Sequence, residues 1–390
     1  MVAIEGRASW YDLPVMETAD HELVPNVTPI EAKPLARARG ARPFGLYDLD
    51  LPDLQAKLVE LGQPAYRAQQ VYDWTYARLA DGYDAMTNLP ADLRARLGEA
   101  LPFSLLTPIR EIATDNGDTI KTLYETIDGH YVETVLMIYH DRATVCISCQ
   151  VGCAVGCAFC ATGLNGLTRN LTAGEMVMQA VDASRRARGL GRQLTNLVMM
   201  GMGEPLQNYA PTMKMIDILH DPKGFNFGAR RITISTSGVV PKILALAGEP
   251  LQVNLAVSLH APNDELRNQL VPINKRWPVE TLMAAVETYT QKTKRRVSFE
   301  YALMGGINDS DEIAEELGAL LRRRLCHLNV IPYNPVDLLK FERPSTVRID
   351  RFAAIVGASG TPVTIRYSRG VEIAAACGQL RATTQREKSA

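Results

Sequence analysis

Five of the seven cysteines in this 390-residue chain fall within a stretch of fifteen residues. They are Cys146, Cys149, Cys153, Cys157 and Cys160, and the last three have the spacing C-x3-C-x2-C. Three thiolates on one short loop can bind three irons of a [4Fe–4S] cluster and leave the fourth iron open to another ligand. The spacing therefore predicts an iron–sulfur centre with a free position at which chemistry can take place.

Other uses of cysteine fit this spacing less well. A structural zinc site normally has two C-x2-C pairs about twelve to twenty residues apart, whereas Cys146/Cys149 and Cys157/Cys160 leave seven residues between the pairs. A disulfide framework is typical of short secreted chains, and this chain starts with mixed charged residues rather than a secretory signal. Zinc stays open as an alternative, and a buried free thiol suits Cys326.

Three glycines lie among or directly after these cysteines, at Gly152, Gly156 and Gly163. Glycine lets a backbone turn tightly around a bulky inorganic ligand, which a run of core cysteines would not need.

With 46% hydrophobic residues, 22% charged residues and a net charge of −1, the chain has room for a large core but no overall excess of positive charge. We expect a protein of the reducing cytoplasm, with no apolar run long enough for a membrane span.

Patterns along the chain predict the elements that position the cysteine loop. Residues 1–42 carry scattered prolines and few periodic apolar positions, so we expect a largely extended or disordered leader. Helical periodicity between residues 43 and 101 predicts a small module of three helices, the first capped by Asp50. Between residues 102 and 142, Asn116-Gly117 and Asp128-Gly129 predict hairpin turns that flank the strands Thr119–Ile127 and Tyr131–Tyr139 in a short antiparallel ribbon.

From residue 143 to residue 370 the pattern becomes strand, loop and helix, repeated six times. The first helix of this region begins with a capping box at Thr172 and Glu175. The fold class predicted is α/β, an incomplete (β/α)6 barrel with a small N-terminal helical domain and a short antiparallel β extension. The predicted strands are Ala143–Ser148, Asn196–Met200, Arg231–Thr236, Val253–Leu259, Val297–Leu303 and Leu328–Pro332.

Ligands of such folds bind at the carboxyl ends of the parallel strands. Here those ends carry the cysteine loop and four further loops or residues with small or polar side chains, namely Gly201–Pro205, Ser235–Gly238, Ser258–His260 and Asn334. We therefore expect these segments to meet the cysteine loop at one mouth of the barrel.

Taken together, these motifs resemble the radical-SAM RNA adenosine C2-methyltransferases, the RlmN family. The resemblance runs from about Leu46 to Leu380 and combines C-x3-C-x2-C with G-x-G-E-P, S-T-S-G, S-L-H-A-P, I-P-Y-N-P and a terminal A-A-C-G-Q-L. It implies that Cys153, Cys157 and Cys160 bind a [4Fe–4S] cluster whose open iron binds S-adenosylmethionine (SAM). It also implies that SAM contacts Gly203, Glu204, Ser235, Ser258, Leu259, His260 and Asn334.

The resemblance further implies a reaction that consumes two SAM molecules. The first SAM methylates Cys377 in the C-terminal segment 371–390, and a radical from the second activates the S-methyl group for addition to carbon 2 of adenine. Glu133 then accepts the carbon 2 proton, and Cys146 forms a transient disulfide with Cys377 that releases the product. Cys149 departs from the family pattern and could compete with Cys146 as the thiol that forms the disulfide with Cys377. We favour Cys146, because residues 146 and 149 would face opposite sides of a continuing strand.

Substrates and partners also follow from the resemblance. It implies an adenosine of 23S rRNA and the adenosine 3′ of the anticodon in tRNA, together with a flavodoxin- or ferredoxin-type electron donor. We expect the module 43–101 to dock RNA through Arg67, Arg78, Arg94 and Arg96.

Three alternatives remain. The sister C8-methylating family, Cfr, shares the cysteines, but Pro205, Ser237 and Arg369-Gly370 look more like the C2 group. A radical-SAM enzyme that acts on protein or metabolites would not need Cys377 and its motif. A zinc-bound RNA-binding module without catalysis is the third.

Overall fold

The computed structural model describes residues 27–29, 44–114, 116–336 and 339–367. The α-helices are α1 Leu51–Glu60, α2 Arg67–Tyr72, α3 Ala91–Ala100, α4 Ala173–Gly189, α5 Tyr209–His220, α6 Val240–Leu246, α7 Asp264–Leu270, α8 Val279–Thr293, α9 Asp311–Leu321 and α10 Thr346–Ala358. The strands are β1 Val27–Pro29, β2 Leu106–Ala113, β3 Thr119–Thr126, β4 Tyr131–Ile138, β5 Ala143–Cys146, β6 Gln150–Gly152, β7 Leu167–Asn170, β8 Leu194–Met199, β9 Ile232–Thr236, β10 Asn254–Ser258, β11 Val297–Leu303, β12 Cys326–Pro332 and β13 Val363–Ile365.

An eleven-stranded sheet contains all of these strands except β6 and β7, which pair with each other. Strands β1 to β5 are antiparallel neighbours, and β5 continues into a parallel series of β8, β9, β10, β11, β12 and β13. The predicted ribbon and incomplete parallel barrel are thus confirmed. Two strands of this sheet were not predicted. One is β13, a seventh parallel strand of three residues, and the other is β1, which lies in the segment predicted to be a largely extended or disordered leader. The rest of residues 1–42 lies outside the described residues.

The predicted N-terminal module contains the three expected helices. The Asp50 side chain accepts a hydrogen bond from the Asp53 backbone at the start of α1, as the capping pattern predicts. Leu54 and Leu58 of α1 are fully buried, and a π-helical turn at Asp73–Ala77 continues α2. Buried apolar side chains of the module and of the sheet form one hydrophobic cluster. The module is therefore packed onto the barrel as part of the same core.

Polar contacts also join the module to the outer helices of the barrel. Arg185 of α4 donates hydrogen bonds to the carbonyls of Leu79 and Ala80, and Lys214 of α5 forms ion pairs with Asp50 and Asp53. Helix α4 begins with the predicted capping box, in which Thr172 and Glu175 bond each other's backbone N–H groups. Among the described residues, no helix is both long enough and apolar enough to cross a membrane.

Candidate active site

The cysteine loop begins where β6 ends, and its path depends on glycine. Gly152 has a φ of +83°, and a Cβ atom there would lie 2.0 Å from the carbonyl oxygen of Gly166. The next residue, Cys153, donates its backbone N–H to that same oxygen at 2.9 Å. A Cβ atom at Gly163 would lie 3.3 Å from the backbone nitrogen of Cys157, which is a tight contact but a much milder one. A side chain at position 152 would force the loop apart, so Gly152 allows the tight turn that the sequence predicts.

The thiols of the predicted cluster ligands influence one another. Burial raises the pKa of Cys153 to about 12 and that of Cys157 further, and the neighbouring thiols add to both shifts. Within the part of the chain that the structure describes, no three His, Cys, Asp or Glu side chains converge closely enough to hold a single metal ion. Three cysteines on one glycine-rich loop fit a [4Fe–4S] cluster, which takes one thiolate on each of three irons.

The far side of the cysteine loop rests on the C-terminal end of α7 and on the loop that follows β12. The backbone N–H of Ala158 donates to the Leu270 carbonyl at 3.0 Å, and the Tyr333 hydroxyl donates to the Phe159 carbonyl at 3.3 Å. A small apolar cluster that includes Val271 and Met304 packs beneath the loop. The cysteine loop is therefore fixed across the carboxyl ends of the parallel strands, where ligands of such folds bind.

Glu204, a predicted SAM contact, is buried, and both of its carboxylate oxygens accept hydrogen bonds from the protein. One carboxylate oxygen accepts the Leu206 N–H at 3.0 Å, and the other accepts both the N–H and the hydroxyl of Ser237 at 2.7 Å. Burial raises the pKa of Glu204, and the Ser237 bonds oppose that shift. Its backbone N–H donates to Gln150 Oε1 at 2.8 Å. Glu204, in the glycine-rich loop, is thus bonded both to β6, which leads into the cysteine loop, and to the Ser-Thr-Ser-Gly loop.

His260 has the left-handed backbone conformation that the turn after β10 requires, with a φ of +61°. Its Nδ1 accepts the Ala302 N–H at 2.9 Å, and its ring contacts Phe159 edge-on at 4.7 Å between centroids. Burial and the nearby Arg267 lower the pKa of His260 to about 3, so the ring is neutral at physiological pH. A neutral, packed imidazole can form one wall of a binding site but cannot supply positive charge.

Arg267 is a functional candidate that sequence reasoning missed. This side chain is fully buried and donates hydrogen bonds to the backbone carbonyls of Leu259, Ser237 and Ser258. It therefore holds together two of the loops predicted to bind SAM. Its position in the middle of a short helix gives no sequence signal, because an arginine in such a place is usually exposed to solvent.

A cavity of about 760 Å³ opens beside the cysteine loop. Of the predicted site residues that the structure describes, Cys146, Cys160 and Asn334 line it, and the others do not. Its remaining lining residues are Val135, Met137, Tyr139, Arg142, Phe159, Ala161, Val198, Met200, Glu300, Ala302, Asn329, Ile331, Pro332, Tyr333, Val336, Thr364, Ile365, Arg366 and Tyr367. Thiols, apolar faces and hydrogen-bonding groups thus meet in a space large enough for a small organic ligand.

Glu133 and Cys146 share one face of neighbouring strands beside this cavity. Cys146 of β5 pairs with Val135 of β4, and Glu133 lies two residues from Val135, hence on the same face. The Lys121 ammonium of β3 lies 2.9 Å from the Glu133 carboxylate, and both side chains are buried. Sequence reasoning found Glu133 but missed Lys121, whose type predicts a solvent-facing position in a strand.

The two extra cysteines occupy different environments. Burial raises the pKa of the Cys146 thiol to about 11, and Lys121 counteracts part of that shift. Cys149 is buried, its thiol donates to the Met202 carbonyl at 3.6 Å, and it does not line the cavity. A Cβ atom at Gly203 would lie 2.8 Å from its sulfur. Cys149 therefore packs between two loops, which supports the preference for Cys146. Cys377 and Arg369-Gly370 lie outside the described residues.

Comparisons with known proteins match this arrangement over most of the chain. The radical SAM superfamily profile matches residues 147–317, and the ribosomal RNA large subunit methyltransferase N-terminal domain profile matches residues 44–101. A probable dual-specificity RNA methyltransferase RlmN of Chloroflexus aurantiacus is 50% identical, covering 86% of this chain and 92% of that protein. A protein of the same name from Halalkalibacterium halodurans is 45% identical, covering 88% and 95%.

Among solved structures, the crystal structure of a radical SAM methyltransferase from Sphaerobacter thermophilus is similar throughout. It has a TM-score of 0.85 and 63% sequence identity, covering 86% of this chain and 99% of that chain. The matched N-terminal profile spans the helical module, and the matched superfamily profile spans the cysteine loop and the following strands as far as α9.

Proposed function

The chain belongs to the RlmN family of radical-SAM RNA methyltransferases, and on this basis we propose that it methylates carbon 2 of adenosine in 23S rRNA and in tRNA. The tRNA target is the adenosine 3′ of the anticodon. The observation that carries the proposal is the position of Glu133 and Cys146 on one strand face, beside a cavity that Cys146 and Cys160 line. A proton acceptor and a resolving thiol that serve one adduct have to lie on the same side of the sheet, as these two residues do.

Cys153, Cys157 and Cys160 are the proposed cluster ligands. When bound, a [4Fe–4S] cluster and SAM supply the 5′-deoxyadenosyl radical that a carbon without an acidic proton needs, with electrons from a flavodoxin- or ferredoxin-type donor. Gly203 and Glu204 bind the amino acid end of SAM, and Ser235, Ser258, Leu259, His260 and Asn334 bind its ribose and adenine. Support comes from Asn334, whose Oδ1 is buried and accepts no hydrogen bond from any residue that the structure describes.

Three residues handle the methyl group and the carbon 2 proton in this proposal. Cys377 carries the methyl group as S-methylcysteine and becomes covalently joined to RNA. Glu133 removes the carbon 2 proton, and the ion pair with Lys121 holds the Glu133 carboxylate in position. The Cys146 thiolate then attacks the Cys377 sulfur, the bond from that sulfur to the RNA-bound carbon breaks, and this carbon keeps the electron pair and takes up a proton to become the methyl group. The Cys146–Cys377 disulfide that forms has to be reduced to two thiols before the next turnover.

RNA docking is proposed for the module 43–101. Arg78 and Arg96 are exposed there, and the Arg78 guanidinium stacks on Trp74 at 4.3 Å from the ring centroid. Arg67 and Arg94 are partly buried, and Arg94 donates to the Asp84 carbonyl at 2.8 Å. Arg78 and Arg96 are therefore the better candidates for phosphate contacts. Since the module shares the core of the barrel, single side chains rather than a deletion should test it.

The test of the proposed function is methylation in a defined reaction. Anaerobically reconstituted protein would be incubated with SAM, a reductant and unmodified 23S rRNA fragments or tRNA, and the methyl group located by mass spectrometry of the nucleosides. We expect 2-methyladenosine in both RNAs and two SAM molecules consumed per product. Formation of 8-methyladenosine would indicate the Cfr-type reaction instead, and the absence of methylated adenosine would contradict the proposal.

A further inference from the structure

We propose that Glu300 selects adenine in the substrate RNA, by accepting a hydrogen bond from the exocyclic amine of the target base. This inference rests on the proposed function and adds a specificity-determining residue to it. Glu300 lies in β11 and lines the same cavity as Cys146 and Cys160.

One half of the Glu300 carboxylate is engaged by the protein, and the other half is available. Oε1 accepts the side-chain amide of Asn329 at 2.8 Å, the residue beside it in β12. Oε2 is buried and accepts no hydrogen bond within residues 27–29, 44–114, 116–336 and 339–367. Nη1 of Arg366 lies 4.0 Å from Oε2, within ion-pair range but too far for a hydrogen bond. A buried carboxylate oxygen without a donor is costly, so a ligand that enters the cavity should supply one.

The cavity around Glu300 suits a planar base. Val198, Met200 and Ile331 contribute apolar surface to its lining, and Tyr333 contributes an aromatic ring. The amide of Asn329 is already committed to Oε1, so it holds the carboxylate in position instead of turning toward a ligand. A flat heterocycle between these walls would present its polar edge to Oε2 of Glu300.

Adenine and its close analogues carry different hydrogen-bonding groups at their polar edge. Adenine carries an amine donor at carbon 6, whereas guanine and hypoxanthine carry a carbonyl acceptor at the same position. A carboxylate pairs with the amine and is repelled by the carbonyl, and a site built for a donor rejects ligands that lack it. Glu300 therefore favours adenosine over inosine and guanosine at the target position.

SAM is the second possible source of the donor, because it too carries an adenine amine and ribose hydroxyls. Ser258, a proposed SAM contact, lies beside Glu300 in the register of β10 and β11. We assign Glu300 to the RNA base because it shares the cavity with Cys146, the thiol that must reach the RNA adduct. The experiment below separates the two sources.

The test uses the full-length, reconstituted enzyme and RNA hairpins with adenosine, purine riboside or inosine at the target position. For the wild type, we expect kcat/KM to fall at least about tenfold from adenosine to purine riboside, which lacks the amine. Glu300→Gln should lose this discrimination and gain relative activity on inosine, because its amide can donate to the carbonyl. Glu300→Asp keeps the carboxylate and should retain a preference for adenosine at a lower rate.

SAM binding and RNA-independent SAM cleavage are measured on the same variants, with Glu315→Gln, an exposed glutamate of α9, as the matched control. The inference requires that both SAM readouts stay within about twofold of the wild type. If Glu300→Gln weakens SAM binding about tenfold but still discriminates adenosine from purine riboside, the donor belongs to SAM and the inference is wrong. Unchanged discrimination together with unchanged SAM binding would also overturn it. A wild type that does not form 2-methyladenosine at all would contradict the proposed function instead.

Discussion

The ammonium of Lys121 lies 2.9 Å from the carboxylate of Glu133, and neither side chain is more than 2% exposed. Two charges of opposite sign are thus held together in the protein interior, on β3 and β4, directly beside Cys146. The ammonium gives the buried carboxylate a partner of opposite charge and fixes its position beside Cys146. A base that has to reach one carbon-bound proton benefits from a neighbour that holds it in place.

We expect Lys121→Met to destabilise the protein and to slow methylation. Removing one partner of a buried ion pair leaves the other charge uncompensated, at a cost of about 3–5 kcal/mol in the free energy of unfolding. Without its ion-pair partner the Glu133 carboxylate would lose the contact that fixes its position, and methylation should fall at least about tenfold. Lys57→Met removes a surface partner of Glu60 and serves as the control, with a cost of about 0–1 kcal/mol.

Adding Glu133→Gln to Lys121→Met would distinguish the structural effect from the chemical one. The neutral pair should recover part of the lost unfolding free energy, because no isolated charge remains, but methylation should stay low. Denaturant unfolding and product formation measure the two effects separately. If Lys121→Met retained wild-type methylation, Lys121 would have no part in positioning the base.

Cys146 and Cys149 should respond differently to substitution by alanine. Without Cys146 the adduct between Cys377 and RNA has no thiol to release it, so Cys146→Ala should accumulate RNA crosslinked to protein. Cys149→Ala should still turn over, with a loss of about 1 kcal/mol in unfolding free energy from the buried contact with Met202. Denaturing electrophoresis of labelled RNA shows the crosslink. The reverse result, with the crosslink in Cys149→Ala, would mean that Cys149 is the resolving thiol.

Much of the fold could be predicted because its elements are long and periodic. The leucine repeat predicted α1, and the capping box predicted where α4 begins. The six longer parallel strands appear close to their predicted positions. Strand β13 was missed because three residues carry too little alternation to register as a strand.

The buried charges of the site could not be predicted from pattern alone. Lys121, Arg267 and Glu300 belong to types that are usually exposed, so a polar residue in a strand or short helix is assigned to the solvent side. Their burial depends on partners far away in sequence, such as the backbone carbonyls around Arg267 and the amide of Asn329 beside Glu300. The motif resemblance predicted roles for Glu133 and Cys146 but gave no information about neighbouring buried groups such as Lys121.

The reactivity of Cys146 should rise with pH. Burial raises the pKa of its thiol to about 11, so the thiol is protonated at neutral pH and the nucleophilic thiolate increases about tenfold per pH unit until the pKa is approached. Alkylation by iodoacetamide, followed by mass spectrometry of the Cys146 peptide, should therefore accelerate steadily between about pH 7 and pH 10. Burial also raises the pKa of Cys326 to about 11, but this thiol is only 4% exposed and should label more slowly.

A rate of Cys146 alkylation that did not change over this pH range would contradict the raised pKa. Lys121→Met provides a further check, because the direction in which it should change the pKa of Cys146 is known. Loss of the ammonium removes an interaction that lowers the pKa of Cys146, so the pKa should rise and alkylation at any pH below it should be slower than in the wild type.

The exposed arginines of the N-terminal module should contribute to RNA affinity through charge. Replacing both Arg78 and Arg96 by Gln should weaken RNA binding several-fold and reduce the dependence of the affinity on salt, because fewer counterions are released. SAM cleavage without RNA should not change. Lys292→Gln with Arg322→Gln alters the net charge equally at other exposed positions. Equal losses of affinity in the two double variants would mean that the module has no specific docking role.

Gly152→Ala should prevent the cysteine loop from closing on its cluster. The φ of +83° is unfavourable for alanine, and the new methyl group would lie 2.0 Å from the Gly166 carbonyl, which also accepts the Cys153 N–H. The backbone would have to move at the residue next to the first proposed ligand. We therefore expect iron and sulfide content after anaerobic reconstitution to fall well below that of the wild type.

Gly82→Ala is the matched control for this substitution. Gly82 has an extended backbone with a φ of −175°, and a Cβ atom there would meet nothing within 4 Å. This variant should bind iron like the wild type, so any loss in Gly152→Ala would come from the turn rather than from the extra methyl group. The opposite result would be that Gly152→Ala reconstitutes with a full complement of iron and the same visible absorption as the wild type. In that case the cluster would tolerate a shift of the Cys153 backbone, and the tight turn at Gly152 would not be needed to assemble the cluster site.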